Sequence, residues 1–404
     1  LIVFAKIDDD KKLSAFIVET AYDGVTIGAD EEKMGIKGSS TVQIYLDDVK
    51  VPVENLLGER NGGFKIALNI LNLGRIKLAG ATTGASKSCI THAVNYANER
   101  KQFGQPIASF GAIKYKLAEM VIQNFAAESL TYRASQNIED AIQAYMDEGL
   151  DKSKAALEGI RQYAIEASIA KVFGSEALDY IVDEGVQIYG GMGYSAETPV
   201  EKAYRDSRIN RIFEGTNEIN RMVIVGELIK RGLKGEIDLL TPAKEVGKEL
   251  MGIPDFGSPT TDYFETKKKM IVNFKKSILM VAGAAIQKFM QDISNEQELL
   301  INAANMIMWT YAAESMMLRV EKLNSMYDEE KVKLYKDILD VYFYDIAHKI
   351  NKEGVDAVNA FGTGDEKQGM LMGMKRFTKA ASVNVVAARR KIADKLIEDN
   401  KYNF

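Results

Sequence analysis

Two different periodicities divide the chain. Ile113, Leu117, Met120 or Val121, and then Asn124 recur at helical spacing, a mostly apolar stripe with a polar outer side. No proline occurs between Pro106 and Pro199, so this composition predicts helices at about 63–99, 111–148, 154–189, 199–213 and 217–232. Residues 1 to about 60 alternate instead. Ile2-Val3-Phe4 and Ala15-Phe16-Ile17-Val18 flank the polar Asp8-Asp9-Asp10-Lys11-Lys12, a hairpin signal, and Thr41 to Leu46 reads as a further strand. These strands predict part of an antiparallel sheet, incomplete by itself.

The stretch 252–261, GIPDFGSPTT, carries two prolines and two glycines and breaks the pattern. Beyond Thr260 there is no proline, and segments at about 262–292, 296–324, 328–350 and 369–399 read as a second helical unit. The expected organisation is a β segment at 1–60, a helical bundle at 61–235, a linker at 236–261 and a helical extension at 262–404. The fold class is mainly α with a partial antiparallel β domain. Lys375, Arg376, Lys379, Arg389, Arg390, Lys391 and Lys395 make the last helix basic, as a solvated face or as a contact for a partner or an anionic lipid surface.

Composition narrows the function classes. A formal net charge of -5 argues against general attraction to nucleic acid. One cysteine, Cys89, and two lone histidines, His92 and His348, offer neither a disulfide framework nor a zinc set, so no metal is expected. No apolar run reaches the roughly 20 residues of a membrane span. The chain opens at Leu1 in a strand-like stretch, which reads as the C-terminal part of a longer protein whose targeting segment is out of view.

Four stretches can carry chemistry. In RIFEGTNEI, Arg211 to Ile219, an acid sits where a helix should be ending. The helix before it starts with an apparent capping box, Thr198-Pro199-Val200-Glu201, and gains Arg205, Arg208 and Arg211 toward its negative end. Glu214 reverses that trend. Beside Ile212 and Phe213 it is expected to be poorly solvated, a condition suited to a general base, unless the corner is an ordinary one with an exposed acid. Gly215 admits close approach of another molecule, and Thr216 or Asn217 can cap the next helix. In NERKQFGQPI, Asn98 to Ile107, Arg100 either pairs with a phosphate or complements a helix end. QIYGGMGYS, Gln187 to Ser195, follows a helix rather than a strand, so it is not a dinucleotide fingerprint; its glycines allow a ligand or another helix to approach. In LNLGR, Leu71 to Arg75, Arg75 is either an anion ligand or a snorkelling surface arginine.

Together, in this order and spacing, these stretches resemble the acyl-CoA dehydrogenase family. The block YRDSRINRIFEGTNEINR, Tyr204 to Arg221, resembles its catalytic-base signature; ERKQFGQPI and QIYGGMGY resemble its FAD-contacting motifs. Glu31 to Glu59 is similar to the second half of its β domain and the following linker. The helical extension, and an amide at Asn72, resemble the very-long-chain branch. The resemblance implies Glu214 as the base that removes the α-proton of a fatty acyl-CoA, with hydride passing to FAD and trans-2-enoyl-CoA as the product of a β-oxidation step. It implies FAD contacts at Arg100, Gln102, Phe103, Gln187, Gly190, Gly191, Thr216 and Glu218, in part across a homodimer, and acyl-CoA contacts at Asn72, Arg75 and Gly215. Electron-transferring flavoprotein is the implied acceptor; oxygen, as in acyl-CoA oxidases, or a respiratory-complex assembly role are the alternatives. The compartment expected is the cytoplasm of a bacterium or the mitochondrial matrix, with membrane contact peripheral at most.

Overall fold

The structure, a computed structural model, describes residues 1–252 and 261–404. Strands β1 (Ile2–Ala5) and β2 (Ser14–Ile17) pair antiparallel with Ile2 opposite Ile17, and β2 also pairs with β5 (Leu56–Leu57). A separate ribbon joins β3 (Val25–Asp30) to β4 (Val42–Leu46). The small sheet seats the first helix, α1 (Gly63–Glu99): the Gly63 amide donates to the Leu13 carbonyl at 2.8 Å, and a Cβ at Gly63 would meet the β2 backbone at 2.7 Å.

A two-residue hairpin, β6 (Lys101–Gln102) and β7 (Gln105–Pro106), joins α1 to α2 (Gly111–Asp147). The helix expected at 154–189 is two, α3 (Lys152–Gln162) and α4 (Ala164–Tyr189), broken at Tyr163. The break has a long-range cause. Arg231 donates to the carbonyls of Gln162 at 2.8 Å and Arg161 at 3.1 Å, satisfying groups that a continuous helix would use itself. Helix α5 (Pro199–Ser207) ends earlier than the expected 213 and gives way to a 3-10 turn over Arg208–Arg211. Its expected capping box is absent. Thr198 instead donates its hydroxyl to the carbonyls of Met192 and Ser195, both at 3.1 Å, and Glu201 pairs with Arg205. Helix α6 (Asn217–Leu233) completes this part.

The stretch expected to be a linker contains α7 (Leu240–Met251), which packs against the following helices through the buried Val246. The break expected at 252–261 lies, from 253 to 260, outside the described residues. Helices α8 (Tyr263–Phe289), α9 (Gln297–Met326), α10 (Glu329–Phe361), α11 (Gly364–Phe377) and α12 (Val385–Asp399) follow. Helix α10 outruns the expected 350 and packs the Met374 side chain against Gly354. The last expected helix is two: α11 ends at Phe377, where Asn351 of α10 donates to Thr378 Oγ1 at 2.8 Å, and Asn384 caps a new start. Among the described residues, the segment 263–295, with a mean hydropathy of 1.2 over its best window, meets the criteria for a membrane span by length and composition alone. It buries Phe274, Met280 and Val281 against neighbouring helices.

One continuous apolar core runs from α1, α2 and α4 into α8–α12. Charges stitch the same boundary. Arg389, expected on a basic outer face, is buried, donating to Glu119 on α2 and Asp345 on α10, each at 2.6 Å. Desolvation raises the Glu119 carboxyl above its ordinary range despite that pairing. Lys391 and Lys395 also pair within the chain, with Asp337 and Asp399.

Candidate functional site

Glu214 and Gly215 form a left-handed corner between the 3-10 turn and α6, with φ of 58° and 82°. Glycine adopts this region freely, whereas a glutamate there costs about 1 kcal/mol and needs outside support. That support converges on three successive carbonyls. Arg75 donates through Nε to the Glu214 carbonyl at 3.2 Å, and Lys171 donates through Nζ to that of Gly215 at 2.8 Å. Asn220 reaches back with Nδ2 to the carbonyls of Glu214, Gly215 and Thr216, at 3.3, 2.8 and 3.1 Å. Thr216 caps α6 by accepting from the Ile219 amide at 3.2 Å.

The Glu214 side chain lies over Gly74 of α1. A Cβ on Gly74 would stand 2.5 Å from Oε2 and 2.7 Å from Oε1, so a side chain there would displace the carboxylate from this position. Its Oε2 is buried with no hydrogen-bond partner among the described residues. Such an orphan acceptor is what a group meant to take a proton from a bound molecule requires. Ile212 and Phe213, expected to desolvate it, are 47% and 41% exposed, and the covering surface is α1 instead.

Arg75 is not a snorkelling surface residue. It is buried, donating through Nη1 to Asn72 Oδ1 at 2.9 Å and Ser168 Oγ at 3.3 Å. Desolvation lowers its pKa, with Glu214 opposing. Asn72, Arg75, Glu214 and Gly215 therefore form one constellation.

Lys171 and Asn220 escaped the sequence reading. Lys171 is fully buried on α4 and also donates to Asn217 Oδ1 at 2.7 Å. Burial, with Arg75 nearby, pushes its ammonium down to about 8. Its signal was available: a lone lysine within the apolar and small run Ser168 to Gly174. Asn220 left no comparable mark, because back-bonding to a turn needs no special pattern.

The other expected contacts stand elsewhere. Arg100, Gln102 and Phe103 are exposed on the β6–β7 hairpin, where Phe103 and Gly104, at φ of 52° and 82°, make the two-residue turn. Gln187, Gly190 and Gly191 are exposed at the end of α4, and a Cβ at either glycine would meet nothing within 4 Å. Tyr96 stacks on Tyr189 with ring centroids 4.1 Å apart, so the hairpin and the glycine loop share one end of the bundle. Thr216 and Glu218 stay beside Glu214; backbone N–H donation at the start of α6 holds the Glu218 carboxyl below its ordinary range. Arg75 lies within α1 and Arg100 caps its far end, about 37 Å away at 1.5 Å per residue. Cys89 is buried, with burial pushing its thiol up to about 12, while His92 and His348 are exposed.

The model described as acyl-CoA dehydrogenase, C-terminal domain, matches residues 61–229, and a second of the same description matches residues 273–376. A probable acyl-CoA dehydrogenase of Bacillus subtilis is 44% identical over 402 residues, covering 99% of this chain and 67% of that protein. The mitochondrial very long-chain specific acyl-CoA dehydrogenase of Bos taurus is 37% identical over 332 residues, covering 77% of this chain and 48% of the relative. A crystal structure of an acyl-CoA dehydrogenase complexed with FAD from Bacillus anthracis superposes with a TM-score of 0.95 at 44% identity, over 100% of this chain and 68% of that one. The chain thus spans two thirds of its bacterial relatives and about half the length of the mammalian one.

Proposed function

Because the chain belongs to the acyl-CoA dehydrogenase family, we propose that it supplies the base and one wall of the substrate site of an FAD-dependent oxidoreductase acting on fatty acyl-CoA. The observation that carries this reading is the unpartnered Glu214 Oε2, held over Gly74 by a corner whose three carbonyls are clamped. With an acyl-CoA in place, Glu214 takes the proton from the α-carbon, leaving charge on the thioester oxygen. The Glu214 backbone amide bonds to no carbonyl among the described residues and is free to donate to that oxygen, which stabilises the developing charge. Asn72 and Arg75 fix the floor beside it.

The residues present fit a flavin dinucleotide. Arg100 and Gln102 offer a cation and an amide on an exposed hairpin, and the open backbone at Gly190 and Gly191 admits close approach. Phe103 and Gln187 would flank it there, while the Thr216 hydroxyl and the Glu218 carboxylate, hydrogen-bonded to each other, would meet it beside Glu214. Bound FAD supplies the acceptor for the hydride leaving the β-carbon. The separation of about 37 Å between Arg75 and Arg100 exceeds the reach of one extended dinucleotide, which supports a homodimer in which one protomer's hairpin serves its partner's base.

A long-chain preference, trans-2-enoyl-CoA formation within β-oxidation, and electron-transferring flavoprotein as acceptor extend this proposal. The support for the long-chain reading is that the likeness to the Bos taurus very long-chain relative runs over 77% of the chain, which includes part of the C-terminal extension. Glu214→Gln in the flavin-loaded enzyme should retain FAD and lose about 10⁴-fold in turnover. A loss below tenfold in steady-state assays would remove Glu214 from the role of base.

A further inference from the structure

The C-terminal extension touches the base corner through an unbroken file of polar side chains. Asn305 on α9 accepts from Arg221 Nε at 2.8 Å, and its own amide donates to Glu353 Oε1 on α10 at 3.2 Å, which orients it. Arg221 on α6 is only 13% exposed, and its other nitrogens grip Glu176 on α4 bidentately, at 2.8 and 2.9 Å. Glu176 Oε1 also accepts from Asn217 Nδ2 at 3.1 Å. Asn217 in turn holds Lys171 at 2.7 Å, and Lys171 holds the Gly215 carbonyl at 2.8 Å. Beside this file, Ile224 and Val225 of α6 pack with Ala303, Ala304 and Met308 of α9, so the two helices share a dry contact.

We propose that the extension positions the base: Asn305 and Glu353 lock Arg221, and the Glu176–Asn217–Lys171 relay then holds the Gly215 carbonyl, keeping the Glu214 carboxylate over Gly74. The proposal rests on Glu214 being the base. Asn305, Arg221, Glu176, Asn217 and Lys171 are positioning residues, since they act on Glu214 only through the Gly215 carbonyl. The physical need is specific. A left-handed glutamate has no regular secondary structure to hold it, and misplacement of a catalytic group by about 1 Å is enough to cost about 10²-fold in rate. A guanidinium with three nitrogens engaged is a rigid strut, whereas one released at Nε rotates. Contiguity alone does not establish coupling, so the test is energetic.

In the flavin-loaded enzyme, Asn305→Leu keeps the branched shape and removes both hydrogen bonds. Single-turnover flavin reduction should slow about tenfold while the substrate Kd stays within about twofold. Amide hydrogen exchange across residues 215–220 should accelerate by at least about tenfold. On a Lys171→Met background the same substitution should cost less than about twofold, because the relay is already cut. Asn305→Asp combined with Glu353→Gln restores an acceptor for Arg221 and a donor behind it, and should recover the rate to within about threefold. Unchanged rate and exchange in Asn305→Leu, a full tenfold cost on the Lys171→Met background, or a rescue pair as slow as Asn305→Leu would each overturn the proposal. Normal turnover in Glu214→Gln would instead defeat the base assignment, and the exchange measurement would still read the buttress.

Discussion

Two corners of this molecule share a backbone and differ in everything around it. Phe103-Gly104 and Glu214-Gly215 both place a bulky residue and then a glycine in the left-handed region, with φ of 52° and 82° in the first and 58° and 82° in the second. The first corner is held by local means: it closes a hairpin of two residues per strand, and Phe103 is 91% exposed. The second is held from afar, by Arg75 on α1, Lys171 on α4 and Asn220 on α6. A turn that only presents its side chain can rely on its own hydrogen bonds. A turn that must aim a carboxylate needs fixed partners on several elements.

Four measurements break or sharpen that contrast. The largest effect is expected from Gly74→Ala in the loaded enzyme, since the new methyl would occupy the carboxylate's place. Turnover should fall by about 10³-fold with flavin content retained, while Phe103→Ala should leave the chemical step untouched; a loss under tenfold for Gly74→Ala would show that the corner tolerates re-aiming. Second, Lys171 titrates at about 8 in the folded chain, below its ordinary 10.5. Between those values the unfolded chain binds the extra proton, so its contribution to stability rises with pH and is lowest below pH 8. Denaturant titrations of wild type and Lys171→Met should therefore diverge in the wild type's favour by about 3 kcal/mol from pH 8 to 10.5; a flat difference would mean the ammonium is not desolvated. Third, Arg100→Ala should weaken FAD retention about 10-fold to 100-fold, as loss of a charge-assisted bond implies, with thermal stability unchanged, and full flavin occupancy would exclude the contact. Smallest is the backbone effect. Gly104→Ala and Gly215→Ala should each destabilise by about 1 kcal/mol in chemical unfolding, yet only Gly215→Ala should slow turnover.

The contrast also marks what the sequence made legible. The α-helical bundle with a partial β segment follows from apolar periodicity and proline placement, and Glu214 was visible as an acid out of place at a helix end. Local rules failed where distant atoms decide. The break at Tyr163 depends on Arg231, the failed Thr198 cap on a preceding turn's carbonyls, and the end of α11 meets Asn351 of another helix. Likewise the clamp on the Glu214–Gly215 corner comes from helices separated by many residues, and a residue's partner across a bundle is not encoded in its neighbours. The buried Arg389 is the clearest case. In sequence it is one cation in a basic run; in the fold it is matched to carboxylates of two other helices.

Helix α1 carries Gly74 and Arg75 about a third of the way along and the Arg100 hairpin at its C-terminal end, without interruption between them. It is therefore both ruler and protractor. Losing a single residue between them would shorten the span by about 1.5 Å and swing the hairpin by about 100° around the axis, pointing it away from any partner it served. Removing seven residues would nearly restore the angle, within about 20°, but draw the hairpin in by about 10 Å. Length and bearing cannot be corrected together, so this segment should accept substitutions on its outer face far more readily than any change in its count of residues.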